Sequence, residues 1–153
     1  MTFPAIDVIV ATMIETGKCK HFFTYGTLRQ GGQGDILSRV KPYWVWEGSA
    51  FIHGDLYDLG KYPGVVKNPF GTKVLGDYYR VLDEDKLFTL LDDYEECSGS
   101  FPEPREYFRE VVEGQTSDKR KVLLWVYFYN WSIAGFQKIE SGDYRAWLLS
   151  ESG

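Results

Sequence analysis

His21-Phe22-Phe23-Thr24-Tyr25-Gly26-Thr27-Leu28-Arg29 begins as a run of aromatic and β-branched residues and breaks off at a Tyr-Gly pair. Residues of this kind favour extended backbone, so the segment predicts a strand over Lys20–Thr24. Gly26 supplies the backbone freedom for a sharp turn, and Thr27 and Leu28 are placed to present main-chain N–H groups to a ligand. Outward from this stretch, the same chemistry predicts strands at Tyr43–Phe51, Lys73–Val81, Phe108–Val112 and Val122–Tyr129. The clearest helix is Asp83–Tyr94: Asp83 can cap it, acids fill its first turn, and Leu87, Leu90, Leu91 and Tyr94 form one apolar stripe. Shorter helices are expected from Asp35 to Val40–Pro42 and over Tyr144–Leu149, the latter after a Ser141-Gly142-Asp143 turn. Gly60–Gly71, with two prolines, and Ser98–Pro104 read as irregular loops rimming a pocket. The predicted fold is α+β: a small mixed, barrel-like sheet flanked by a few helices.

A chain of 153 residues with 44% hydrophobic and 17% aromatic side chains suits one domain with a substantial core. The formal net charge of −5 argues against nucleic acid as a partner, because such binding rests on neutralising phosphates with Lys and Arg. Two cysteines, Cys19 and Cys97, are too few for a disulfide scaffold and read as free thiols in a reducing compartment. The apolar run from Pro4 to Ile14 is interrupted by Asp7, lacks a basic flank and is far shorter than the roughly 20 residues of a membrane span. A cytoplasmic protein without membrane contact is expected.

The segment Leu90-Leu91-Asp92-Asp93-Tyr94-Glu95-Glu96 places two carboxylates at the end of the predicted helix. There the negative end of the macrodipole disfavours an anion and raises a carboxylate pKa, which suits a general base working near neutrality. The plain alternative is a pair of solvated surface glutamates. Other chemistries fit less well. Gly26 and Gly31 have P-loop spacing, but Gly32-Gln33 stands where Lys-Ser/Thr is required. No nucleophile signature surrounds Cys97, and His53-x-Asp55 has no further ligands at metal-site spacing.

Three motifs taken together, Tyr25-Gly26-Thr27-Leu28, Leu91-Asp92-Asp93-Tyr94-Glu95 and Tyr107-Phe108-Arg109, resemble those of the γ-glutamylcyclotransferase-like (AIG2-like) family. The resemblance runs from Lys20 through Trp125-Val126-Tyr127 to Ser141-Gly142-Asp143-Tyr144, making residues 20–153 one domain and 1–19 an extension outside it. It implies an enzyme that closes 5-oxoproline from a γ-glutamyl amine or amino acid, the α-amine attacking the γ-carbonyl, without metal or other cofactor. Glu95 then takes the place of the family's catalytic glutamate in its Leu-Asp-x-x-Glu-Gly pattern, with Glu96 standing where that pattern has glycine. Tyr25, Gly26, Thr27, Leu28 and Tyr107 become the substrate-binding residues. The implied partner is a small γ-glutamyl molecule; its leaving group and the oligomeric state are open. Tyr25 and Tyr107 can equally be core residues, Arg29 and Arg109 can attract a substrate carboxylate, and a non-catalytic metabolite-binding module on the same fold is the competing reading.

Overall fold

A computed structural model describes residues 19–26, 35–60, 62–94 and 105–152. Strand β1 (His21–Thr24) is followed by the short helix α1 (Asp35–Val40), which is extended by a 3-10 turn over Lys41–Tyr43. Then come β2 (Trp44–Asp58), β3 (Pro63–Lys67), β4 (Thr72–Val81) and helix α2 (Glu84–Tyr94). The chain continues through β5 (Tyr107–Thr116), β6 (Lys121–Tyr129), the short β7 (Gln137–Lys138) and helix α3 (Tyr144–Ser152). All five strands expected from the sequence form, and they pair in a ring, β2–β4–β1–β6–β5, that the β2–β5 ladder closes. Every pairing in the ring is antiparallel except β1 with β6, so the barrel is mixed. Closure leaves no edge among these five strands, and the long β2 carries β3 and β7 as additions.

The two-residue period of the strands sorts side chains between two cores. Along β6, Leu124, Val126 and Phe128 join one cluster with Phe23, Ile52, Leu56 and Val74, while Trp125, Tyr127 and Tyr129 join the other with Phe22, Val40, Trp44, Leu87 and Leu91. The first set fills the barrel. The second, heavily aromatic, lies beneath α1 and α2. β1 splits the same way: Phe22 faces the helices and Phe23 the interior.

Helix α2 is capped as the sequence predicts, Asp83 Oδ1 accepting from the Lys86 N–H at 3.1 Å. Its buried face differs by one position: Leu87, Phe88 and Leu91 are buried and Leu90 partly so, whereas Tyr94 is 44% exposed. Phe88 takes the place expected of Tyr94 because its ring meets Phe22 and Trp125 edge-on. Two further differences are larger. β2 runs seven residues beyond Phe51, and the predicted Gly60–Gly71 loop contains β3. Pro63 is tolerated there because it is the first strand residue, where a missing N–H costs no ladder bond. The Ser141-Gly142-Asp143 turn forms with Gly142 at φ +71°, its carbonyl accepting from the Leu75 N–H at 2.8 Å. A Cβ there would sit 1.8 Å from the Lys73 carbonyl oxygen, so the turn docks on β4 only with glycine. Asp143 then caps α3 through the Ala146 N–H. Among the described residues no helix is long and apolar enough to cross a membrane.

Candidate active site

The turn after β1 is held by its first two residues. Tyr25 is buried, and its hydroxyl donates to the Tyr127 carbonyl at 2.7 Å while accepting from the Val65 N–H at 3.3 Å. Gly26 follows against the Pro63 ring; a Cβ on it would lie 2.8 Å from Pro63 Cγ. From the other side the buried Tyr107 hydroxyl donates to the Pro63 carbonyl at 2.8 Å. Tyr25, Gly26 and Tyr107 therefore converge on the first residues of β3, the strand that the sequence disguises as a loop. Among the described residues β3 forms a ladder with β2 alone, and the two tyrosine hydroxyls serve main-chain groups at Pro63 and Val65. Replacing Tyr25 with Phe strips a partner from a buried N–H and a buried carbonyl, so Tyr25→Phe is expected to lose about 1–3 kcal/mol in urea unfolding. A loss below about 0.5 kcal/mol would show that this bridge does not hold the turn.

The remaining residues assigned from the sequence, Thr27, Leu28 and Glu95, lie outside the described residues, as do Arg29 and Cys97. The residues just before Thr27 and Glu95 are described. Gly26 leads into Thr27, and α2 ends at Tyr94, next to Glu95.

What fixes the end of α2 is a polar cluster that the sequence did not reveal. Arg109, on β5, grips Asp92 with two bonds, Nε to Oδ1 at 2.9 Å and Nη2 to Oδ2 at 3.1 Å. The Tyr127 hydroxyl donates to the same Asp92 Oδ1. The Arg109 guanidinium lies over the Phe88 ring at 3.9 Å and the Trp125 ring at 4.7 Å. Stacking of this kind presets the planar fork for a carboxylate. Arg109 thus engages the protein's own Asp92. A signal was present, since Asp92 and Arg109 both sit in the quoted motifs, but nothing in a linear sequence pairs residues 17 positions apart. The cluster borders a hollow of about 440 Å³ along α2, lined also by Glu84, Asp85 and Thr89.

Beside Tyr107, Glu106 is buried and accepts from the Tyr62 hydroxyl. Burial, with the negative Glu106 adding to it, pushes the Tyr129 phenol above its ordinary range. Asn130 fixes the approach to β5, its N–H donating to the Glu106 carbonyl at 2.7 Å and its Nδ2 to the Arg105 carbonyl at 3.0 Å. Cys19 is a free, buried thiol packed in the aromatic core, and burial raises its pKa. His53 and Asp55 act locally, His53 Nδ1 lying 2.9 Å from the Gly71 carbonyl and Asp55 pairing with Asn68 and Lys138. Among the described residues no group of three or more His, Cys, Asp or Glu side chains is placed to hold a metal.

The family model described as Gamma-glutamyl cyclotransferase, AIG2-like matches residues 22–146, which spans all three motifs and the closing Ser-Gly-Asp turn. The Gamma-glutamylcyclotransferase family protein YtfP of Escherichia coli is 30% identical over 129 residues, covering 80% of this chain and 93% of that protein. Its solution structure aligns with a TM-score of 0.55 over 81% of this chain and 95% of its own. The uncharacterized protein PH0828 of Pyrococcus horikoshii, 22% identical, shares the fold with a TM-score of 0.60 over 87% of this chain and 96% of its own. An AIG2-like protein of Mus musculus, 24% identical, does so at 0.59 over 71% and 76%. With most of its length matched by the family model and a curated relative aligned nearly end to end, this chain belongs to the gamma-glutamyl cyclotransferase, AIG2-like family.

Proposed function

We propose that this protein is a γ-glutamylcyclotransferase-type enzyme that releases 5-oxoproline from a γ-glutamyl amine or amino acid, with Glu95 as general acid and base. The observation that carries the reading is the joining of its two motif segments. Tyr127 binds Tyr25 through its carbonyl and Asp92 through its hydroxyl, so the turn leading to Thr27 and Leu28 and the helix leading to Glu95 are anchored on one residue.

In this reading the Glu95 carboxylate takes a proton from the substrate's α-ammonium, whose ordinary pKa of roughly 8 makes the transfer easy near neutrality. The freed amine attacks the γ-carbonyl carbon of the same molecule, forming the ring C–N bond. Main-chain N–H groups around Gly26, Thr27 and Leu28 hold the oxyanion that develops. The tetrahedral centre then collapses and the bond to the leaving amine breaks: Glu95 returns its first proton to the departing nitrogen, takes the second proton from the ring nitrogen to leave the neutral lactam, and passes that proton to the freed amine, which departs as its ammonium. No outside oxidant, metal or water enters the balance. Tyr25 and Tyr107, both buried, brace the walls around the folded glutamyl chain from behind, since both hydroxyls bind the start of β3.

The test is incubation of the purified protein with a panel of γ-glutamyl amino acids and γ-glutamyl amines, with 5-oxoproline measured by mass spectrometry. Multiple turnovers with at least one member are expected, and the member identifies the leaving-group class. Binding of γ-glutamyl compounds without release of 5-oxoproline would replace the enzyme by a metabolite-binding module.

A further inference from the structure

Side chains from α2, β5 and β6 meet at the last turn of α2, and the main-chain carbonyl of one of these residues accepts a hydrogen bond from the turn after β1. We infer that Asp92, Arg109 and Tyr127 form a clamp that positions Glu95 relative to the Tyr25–Gly26 turn, with Tyr127 as the member that couples the two. The inference rests on Glu95 being the acid and base proposed above.

The last turn of a helix is where fraying is easiest, because its final carbonyls lack partners within the helix. A base placed just beyond such an end inherits its motion. General-base catalysis needs heavy-atom separations of about 2.6–3.2 Å. Displacing a reacting group by about 1 Å can cost as much as a hundredfold in rate. Asp92 is three residues before Glu95 and within the final turn of α2. Arg109 holds both of its oxygens, at 2.9 and 3.1 Å, so the carboxylate cannot rotate without breaking a bond. The fork is itself fixed by the Phe88 and Trp125 rings. Tyr127 adds a third bond to Asp92, and its main-chain carbonyl accepts the Tyr25 hydroxyl at 2.7 Å. From the turn to the helix end the connection is therefore two hydrogen bonds through one buried residue of β6. The Tyr127 ring is held in turn by Phe22, centroids 5.7 Å apart.

A merely structural cluster and a positioning clamp predict different results in folded protein at ordinary temperature. The first lowers the unfolding midpoint and leaves the kinetics of folded molecules alone. The second lowers kcat while KM stays near its starting value, because substrate still binds but meets a displaced base. Tyr127→Phe removes only the hydroxyl and keeps the ring against Phe22, so it folds; Asp92→Asn keeps the shape and removes the charge; Arg109→Lys removes the fork. In all three variants the turnover rate is expected to fall by about tenfold to a hundredfold, with KM within about threefold of wild type. Amide hydrogen exchange over Leu91–Tyr94 should quicken by about tenfold or more. Wild-type turnover and exchange in both Tyr127→Phe and Asp92→Asn, alongside an inactive Glu95→Gln, would overturn the clamp and leave the enzyme reading intact. A fully active Glu95→Gln would instead overturn the reading on which the clamp depends.

Discussion

Glu95→Gln is expected to fold as the wild type does and to release 5-oxoproline about 10²–10⁴-fold more slowly, the range that positioned acid–base groups contribute. The amide matches the carboxylate in size and keeps a carbonyl acceptor, but it cannot take the α-ammonium proton or return one to the leaving nitrogen. Residual turnover should persist, because closing a five-membered ring is intramolecular and the main-chain donors remain. The pH profile carries a sharper signature. In the wild type, kcat/KM should fall on the acid side as Glu95 is protonated, and that limb should vanish in Glu95→Gln, leaving only the deprotonation of the substrate amine. Substrate KM should change little, since binding of the α-carboxylate and γ-carbonyl falls to the turn. Activity within about threefold of wild type would sink the assignment of Glu95 and return it to the solvated helix-end glutamate that the sequence equally allows.

How far the sequence could be read depended on whether the signal was local. The five barrel strands are legible because each carries its own aromatic and β-branched run, and α2 is legible because Asp83 and the Leu87–Leu91 spacing are cap and stripe within one segment. β3 was not, because Pro63 and the flanking glycines Gly60 and Gly71 are turn residues wherever long-range pairing is unknown. It forms a strand because β2 offers a ladder from Gly54 to Asp58 and two tyrosine hydroxyls serve its main chain. The length of β2 was missed for a related reason: beyond Phe51 its sequence includes His53, Gly54 and two aspartates, and pairing with β3, β4 and β7 keeps it extended. At the site, the motifs located Tyr25, Gly26, Asp92, Tyr107 and Arg109, but not what they bind. Arg109 reads in the sequence as a cation free to meet substrate; in the fold its charge is matched by Asp92 and its faces by Phe88 and Trp125. Contacts of this range follow from barrel closure, which sequence patterning does not encode residue by residue.

Phe22→Ala carries the largest expected cost in stability, about 3–5 kcal/mol, against a total of about 5–15 kcal/mol for a domain of this kind. Phe22 is 1% exposed, and its ring lies in the aromatic layer that seats α2 on the barrel. It stacks on Trp44 at 5.7 Å and meets Phe88 of α2 at 6.2 Å and Tyr127 of β6 at 5.7 Å, both edge-on. Truncation removes these aromatic pairs and opens a cavity that cannot easily collapse, because β1 is hydrogen-bonded to β4 on one side and β6 on the other. Phe22→Leu, which keeps most of the volume, should cost much less, in the range of about 1–2 kcal/mol. Guanidinium unfolding, followed by tryptophan fluorescence, measures both. The functional consequence separates this residue from an ordinary core position. Phe22 supports Phe88, over which Arg109 stacks, and Tyr127, which holds Asp92. Phe22→Ala that remains folded at low temperature should therefore also lose kcat, in the same direction as Tyr127→Phe. A double variant, Phe22→Ala with Tyr127→Phe, should lose less than the product of the two single effects, because both act on the same helix end. Strict multiplicativity of the two would mean that the aromatic layer seats α2 without bearing on where its last turn points.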